Sequence, residues 1–218
     1  ITLSGGGSFV SGGMTLNDED SKLLLNSITL DSASTSANNA GVDVDESSTV
    51  TAFSVGHTTP VSIADGKTLS GGVTVTAGSI KLGETGTLGS SVTMSGGTLE
   101  ADETLTLSGA LSHTGDITID VAEDKTLTYS GTAINVGANT ITLSGGGSLV
   151  SGGMTLNDAQ SKLLLNSITL DSASTSANNS GVDVDENSTV TSLSVGHTTP
   201  VSIKANKNLS GSITVTAG

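Results

Sequence analysis

Two clusters of acidic side chains are the groups in this sequence most suited to chemistry. They are Asp43, Asp45 and Glu46 and, 140 positions later, Asp183, Asp185 and Glu186. Alternation along a strand would place the two aspartates of a cluster on one face, where their carboxylates could share a cation. A calcium ion needs about six to eight oxygen ligands, and no calcium-loop signature accompanies either cluster. A solvated outer face is the simpler interpretation, calcium binding is the alternative, and we assign no metal ligand.

Three histidines are the other candidate catalytic groups. His57 and His197 lie in identical Gly-His-Thr-Thr-Pro turns, and His113 stands alone. A hydrolytic triad needs a nearby acid and a nucleophile held against the histidine. Serine is so abundant here that its nearness carries little information, and no Gly-x-Ser-x-Gly elbow is present. The pattern favours histidines with a role in turns, so we predict no catalytic residue, no cofactor and no enzymatic activity.

The charge balance narrows the classes of partner. The chain has 21 acidic residues against seven basic ones, all of them lysine, and a net charge of -14. Such a surface repels nucleic-acid phosphates and anionic lipids. The absence of cysteine excludes disulfides and thiolate metal sites, and no apolar run is long enough to span a membrane. We therefore expect neither nucleic-acid binding nor membrane insertion.

The acidic clusters and two of the three histidines lie in a long sequence repeat. Residues 141–218 are a second copy of residues 1–78, at a constant offset of 140 and with 65 of the 78 positions identical. Residues 79–140 form the remainder of the unit. Such close identity indicates recent duplication within an array. Because the sequence begins and ends inside the unit, we expect further copies on both sides, and we treat residues 1–218 as one continuous segment.

Short alternating runs of apolar residues fill both copies. Gly, Ser, Asn or Asp separates these runs, and no window shows a convincing helical stripe. Only three aromatic residues, Phe9, Phe53 and Tyr129, are available for a core. The stretch from Asp31 to Gly41, repeated at 171–181, has no core-forming residue larger than alanine. We predict that this stretch leaves the strand pattern as a loop or bulge.

These strands cannot bury their apolar faces singly. Stacking similar coils buries each face and pairs each backbone group with the coil above or below. The sequence therefore predicts an all-β, parallel β-solenoid of about ten coils of irregular length, rising about 4.8 Å per coil. A string of β-sandwich domains is the rival. It fits less well, because a 140-residue unit is long for one sandwich and sandwich cores use aromatic residues.

Several phrases of the chain carry a resemblance to known proteins. The strings ADETLTLSGAL, AEDKTLTYSG and GANTITLSGGGSLVSGG resemble the passenger regions of autotransporters. They are also similar to filamentous-haemagglutinin-type and other large repetitive bacterial surface proteins. The resemblance implies a right-handed β-helix, export and a role at the cell surface. It carries over no functional residue, because the shared phrases are structural.

Three functions are compatible with this pattern. The first is a structural rod or spacer in a giant extracellular protein, whose partners are neighbouring repeats of the same chain and a host-surface or matrix component. The second is an adhesin that binds a ligand or glycan through the 31–41 and 171–181 stretches. The third and most remote is a polysaccharide-acting β-helix enzyme, which would be expected to present arginine and aromatic groups to sugar. We predict the rod.

Pairs of threonines separated by one residue raise ice binding as a further class. Such pairs recur along the chain and include Thr49/Thr51 and Thr189/Thr191. Flat ranks of threonine require equal spacing from coil to coil, and the gaps between these pairs are unequal. The sequence therefore favours ordinary strand threonine.

Overall fold

The chain is an all-β solenoid. The computed structural model describes residues 1–38, 40–56, 60–76, 79–82, 87–88, 91–178, 180–196 and 200–217. Within these ranges there is no helix, and parallel stacked coils form a β-solenoid of about ten turns with 64% strand. The predicted fold class is confirmed.

The strands are short, as the alternating runs predicted. In chain order they are β1 (Thr2–Ser4), β2 (Ser8–Ser11), β3 (Met14–Leu16), β4 (Lys22–Asn26), β5 (Thr29–Ser32), β6 (Thr35–Asn38), β7 (Gly41–Glu46), β8 (Ser48–Gly56), β9 (Pro60–Ile63), β10 (Thr68–Val75), β11 (Ser79–Leu82), β12 (Thr87–Leu88), β13 (Val92–Met94), β14 (Thr98–Ala101), β15 (Leu105–Leu107), β16 (Leu111–His113), β17 (Ile117–Val121), β18 (Thr126–Tyr129), β19 (Ile134–Asn135), β20 (Thr140–Ser144), β21 (Ser148–Ser151), β22 (Met154–Leu156), β23 (Lys162–Leu165), β24 (Thr169–Ser172), β25 (Thr175–Asn178), β26 (Gly181–Val184), β27 (Ser188–Gly196), β28 (Val201–Ile203) and β29 (Leu209–Ala217).

Stacked strands form three walls. Wall 1 is an eleven-stranded parallel sheet in the order β1-β4-β7-β9-β11-β14-β17-β20-β23-β26-β28. Wall 2 contains β2, β5, β12, β15, β18, β21 and β24, together with the first halves of β8, β10, β27 and β29. Wall 3 contains β3, β6, β13, β16, β19, β22 and β25, together with the second halves of the same four long strands.

The coils differ in length, and the corners absorb the difference. On wall 1, Lys22 lies beside Gly41, whereas Ile117 lies beside Ile141, which is a longer step along the chain. Both pairings place an inward position beside an inward one and an outward position beside an outward one, so the two faces of the strand are not exchanged. Irregular coil length therefore coexists with continuous parallel pairing.

Alternation along each strand builds the core. In β4, Leu23 and Leu25 are fully buried while Lys22 points outward, and in β7 Val42 and Val44 are likewise fully buried. Buried side chains form one cluster that extends from Leu16 to Leu209. Each fully buried Leu or Val contributes about 1.5–3 kcal/mol relative to an exposed one. A thin core of aliphatic side chains can therefore stabilise the fold, because it is continuous along the stack of coils.

The prediction that Asp31 to Gly41 and its copy at 171–181 form loops is wrong. This stretch supplies the end of β5 and all of β6, and β6 pairs in parallel with β3 and β8. Alternate small residues of this stretch are inside: Ala37 is fully buried in register with Leu16 and Val55. Main-chain pairing holds the strand in place, and an alanine between two larger neighbours completes the core at that level. Low side-chain volume was therefore a poor indicator of a protrusion.

The corner at Gly145 gives a test of coil stacking. Gly145 has φ of +104°, and a Cβ atom there would lie 2.2 Å from the Val121 carbonyl oxygen of the preceding coil. Gly5 is its repeat counterpart, with φ of +115° and nothing within 4 Å of a Cβ atom. Both Gly→Ala variants incur the backbone strain, about 1–3 kcal/mol. Only Gly145→Ala also incurs the collision, which costs about 1–3 kcal/mol more.

Urea unfolding monitored by circular dichroism should therefore show the larger loss for Gly145→Ala, with Gly5→Ala as the matched control. Equal losses would mean that the two coils are not stacked as described.

Candidate functional site

Ion pairs between successive coils dominate the turns that join wall 1 to wall 2, which we call the charged corner. Lys67 Nζ lies 2.6 Å from Glu46 Oε2, and Lys125 Nζ lies 2.5 Å from Glu103 Oε2. Lys207 Nζ lies 2.5 Å from Glu186 Oε2. In each pair the acid lies in one coil and the lysine in the next. The pairs therefore act along the axis of the stack.

The same turn presents each of these lysines. The lysine N–H donates to the carbonyl three residues earlier, at 3.0 Å, in Ala64–Lys67, Ala122–Lys125 and Lys204–Lys207. The residue before the lysine has positive φ: 68° at Gly66, 61° at Asp124 and 64° at Asn206. Gly, Asp and Asn are the types that tolerate this conformation. The turn, rather than the side chains alone, places each ammonium over the acid of the coil before it.

The acidic clusters singled out in the sequence are divided between two lysines. Asp43 pairs with Lys22 of the preceding coil, and Glu46 pairs with Lys67 of the following one. In the second copy, Asp183 pairs with Lys162 at 2.6 Å. Within the described ranges, no group of three or more His, Cys, Asp or Glu is placed to hold a metal ion. The geometry thus assigns two carboxylates of each cluster to lysine pairing between coils.

These pairs shift the pKa of three groups. The hydrogen bond to Asp43, followed by its charge, raises the pKa of Lys22 above 10.5. The hydrogen bond to Asp183 does the same for the pKa of Lys162. The hydrogen bond from Lys207 lowers the pKa of Glu186 below 4.5. All three shifts favour the charged form and have the sign expected of an ion pair.

The contacts of the described histidine differ from those of a catalytic histidine. His57 and His197 lie outside the described residues. His113 contacts two main-chain carbonyl oxygens, that of Gly115 at 3.1 Å from Nδ1 and that of Asn135 at 2.9 Å from Nε2. Neither contact is with an acid or a nucleophile. The ring joins β16 to β19 in the next coil.

His113 and Tyr129 lie at a seam in wall 3, by which we mean the gap in main-chain pairing between β16 and β19. Among the described residues no ladder joins β16 to β19. The Tyr129 hydroxyl accepts a hydrogen bond from the Leu111 N–H at 3.1 Å, while its ring is buried. Side chains thus replace main-chain pairing at this level. No pattern in the sequence indicates this site, although Tyr129 is the only tyrosine in the chain.

Hydroxyl side chains form columns on wall 3. One column consists of Thr15, Ser36, Ser54, Thr74, Thr93 and Ser112, each beside the next in register. The expectation that unequal spacing prevents such ranks is wrong, because corners absorb the differences in coil length. One threonine pair stacks on another, since Thr106 lies beside Thr128 and the Thr126 N–H donates to Thr104 Oγ1 at 3.2 Å. Elsewhere the stacked partner is an aspartate: the Thr51 hydroxyl donates to Asp31 at 3.2 Å, and the Thr191 hydroxyl donates to Asp171 at 2.8 Å.

Comparisons with other proteins assign this chain to no family. No known protein family, no curated protein and no solved structure matches the chain. In the part of the chain that the structure describes, no helix is long and apolar enough to cross a membrane.

The charged corner predicts a pH-dependent contribution to stability. The pKa of Glu186 is below 4.5 in the folded chain. Its pair with Lys207 therefore stabilises the fold above that pH, and this contribution is lost as the pH falls through the lowered pKa. Lys207→Met should lower Tm at about pH 7, and the difference from the parent chain should shrink as the pH falls through the lowered pKa of Glu186.

Lys204→Met is the matched control, because Lys204 acts on Glu186 only through its charge. It should change Tm less. A Tm difference for Lys207→Met that stayed constant with pH would contradict the pairing.

The seam predicts a local loss of stability when the Tyr129 hydroxyl is removed. Tyr129→Phe keeps the buried ring but leaves the Leu111 N–H without its acceptor. The expected cost is about 1–3 kcal/mol. Amide hydrogen exchange should accelerate at Leu111 and leave the amides of β4 and β7 unchanged. Unchanged exchange at Leu111 would show that the hydroxyl does not satisfy it.

Proposed function

We propose that this chain is a rod-like spacer segment of a repetitive extracellular or cell-surface protein. The observation that carries the proposal is the junction between the two copies of the repeat. There β17 pairs with β20 and β18 pairs with β21 in unbroken parallel register. One unit therefore passes into the next with the same contacts that join coils inside a unit. Length can be increased by adding units, without a hinge between them.

Three kinds of contact along the axis support a stiff rod. Wall 1 pairs eleven strands without interruption. Lysine–carboxylate pairs join successive coils at both ends of the chain, as at Lys22–Asp43 and Lys207–Glu186. Hydroxyl pairs such as Thr93–Ser112, at 3.2 Å, add to these. A bend would have to break several of these contacts together.

The extracellular location is part of the same proposal. A cysteine-free, acidic chain suits a long exported protein that must remain unlinked. Its partners would be neighbouring repeats and a surface or matrix component. Binding of a ligand through 31–41 and 171–181 would have to use a flat strand surface, because these residues form part of the walls. The rod is therefore the function that the geometry supports best.

Length measurement tests the proposal. Seven coils separate β1 from β20 on wall 1, so one unit should add about 34 Å at about 4.8 Å per coil. A chain extended at its C-terminus by a further copy of residues 79–218 continues the repeat in phase. Small-angle X-ray scattering should show the maximum dimension increase by about 34 Å with an unchanged cross-section.

A chain extended by the same residues in scrambled order is the control, and it should not show this increase. A thicker cross-section, or a second compact body beside the first, would refute the rod.

A further inference from the structure

The seam in wall 3 occupies a single step of the stack. On one side of it β13 pairs with β16, and on the other side β19 pairs with β22, both in parallel register. Wall 1 continues past the same level, where β14 pairs with β17. The seam is therefore a local gap between two coils that are joined elsewhere.

Main-chain groups that a ladder would pair face this gap. The Ile134 N–H donates to the Gly153 carbonyl of the following coil at 2.9 Å. The Val136 N–H donates to the Thr155 carbonyl of the same coil at 3.0 Å. Successive residues of a parallel strand direct their main-chain groups to opposite neighbours, so Asn135 directs its carbonyl toward the preceding coil. That carbonyl needs a donor, and across the seam no strand supplies one.

A histidine ring supplies the donor. His113 Nε2 lies 2.9 Å from the Asn135 carbonyl oxygen in the next coil, and Nδ1 lies 3.1 Å from the Gly115 carbonyl oxygen in its own corner. The register places His113 beside the buried Met94, but His113 itself is partly exposed. The ring therefore occupies an inward position of the wall and is still within reach of solvent at the gap.

The two contacts determine the charge at which the ring fits. A carbonyl oxygen only accepts hydrogen bonds. A neutral imidazole has an N–H on one nitrogen and a lone pair on the other, whereas the imidazolium ion has an N–H on both. A neutral ring at His113 would satisfy one carbonyl and turn its lone pair toward the other. The charged ring satisfies both, and hydrogen bonds from a charged donor are about twice as strong as neutral ones.

Two other titratable groups lie on the elements around the ring. The strands that pack against it, β13 and β19, are fully described and carry no titratable side chain. Tyr129, in the following coil, has its hydroxyl on the Leu111 N–H. Asp116, in the corner after β16, accepts a hydrogen bond from the Thr140 N–H at 2.7 Å. Histidine is the side-chain type that ordinarily changes its charge between about pH 5 and 8.

We propose that the seam is a pH-responsive joint, closed when the His113 ring is doubly protonated and loosened when the ring loses a proton. Closure makes both contacts only with the charged ring, whereas an open seam leaves the ring in water. The closed joint therefore binds the proton more tightly, so closure is strongest in acid and weakens as the pH rises through the titration of the ring. The joint concerns the contact between two coils and stands whether or not the chain serves as a spacer.

The joint and the charged corner respond to pH in opposite directions. The contribution of the Glu186–Lys207 pair is lost as the pH falls, because the folded chain lowers the pKa of Glu186. Closure of the seam is lost as the pH rises. A measurement confined to the seam is therefore needed, since the Tm of the whole chain combines both effects.

Amide exchange at Leu111 reports the joint, because its N–H is bonded across the seam to Tyr129. The protection factor of this amide, corrected for the intrinsic pH dependence of exchange, should fall about tenfold between about pH 5 and 8, as expected for loss of a hydrogen bond from a charged group. Thr118, whose N–H donates to the Gly97 carbonyl on wall 1 at 3.0 Å, is the internal reference and should change far less.

Two variants identify the titrating group. His113→Gln keeps an amide donor but cannot titrate, so its Leu111 protection should be the same at both pH values. Asp116→Asn is the matched control and should keep the pH dependence of the parent chain. In the parent chain, the ¹⁵N shifts of the His113 ring should titrate with the same midpoint as the protection of Leu111.

Three outcomes would overturn the proposal. In the parent chain, a ring that titrates while Leu111 protection stays constant would do so without any variant. A His113→Gln chain that is folded by circular dichroism and keeps the pH dependence would also do so. Loss of the pH dependence in Asp116→Asn would assign the effect to that carboxylate instead of the ring.

Discussion

The parallel main-chain ladder between successive coils is the constraint on which the rest of this structure depends. Each strand of wall 1 between β1 and β28 is held by the coil before it and the coil after it, so the chain varies mainly where the ladder is absent. Coil length therefore changes at the corners, where the shorter step from Lys22 to Gly41 and the longer step from Ile117 to Ile141 are both accommodated. The same constraint fixes which face of every strand is inside, because a slip by a single position in the pairing would turn the core side chains outward.

Side-chain chemistry follows the ladder. Stacking places residues about one coil apart in sequence side by side, and this is the separation of Lys67 from Glu46 and of Lys207 from Glu186. The described strand residues of wall 3 include no Asp, Glu or Lys. Charge is concentrated instead on wall 1 and at the charged corner, where lysines pair with carboxylates of the adjacent coil. The paired lysines are Lys22, Lys67, Lys125, Lys162 and Lys207.

The sequence predicted the parts of the fold that depend on periodicity. Alternating apolar runs such as Lys22–Asn26, separated by Gly, Ser, Asn or Asp, were sufficient to indicate stacked short strands. Two features depended on three-dimensional neighbours instead. Ala37 is a core residue only because Leu16 and Val55 lie on either side of it. The pairing of Asp43 with Lys22 depends on the register of two strands, which composition does not specify. From the sequence alone, the carboxylates were therefore a candidate cation site.

Interchangeable coils explain why the repeat can be long and its members unequal. The three-residue corner at Gly145–Gly147 stacks on the longer turn at Ala122–Lys125, with Gly147 N–H donating to the Val121 carbonyl at 2.9 Å. What a coil requires of its neighbour is therefore strand direction, inward aliphatic side chains and a compatible corner, rather than one particular sequence. Such tolerance favours growth by duplication, because a copied unit meets surfaces that it already fits.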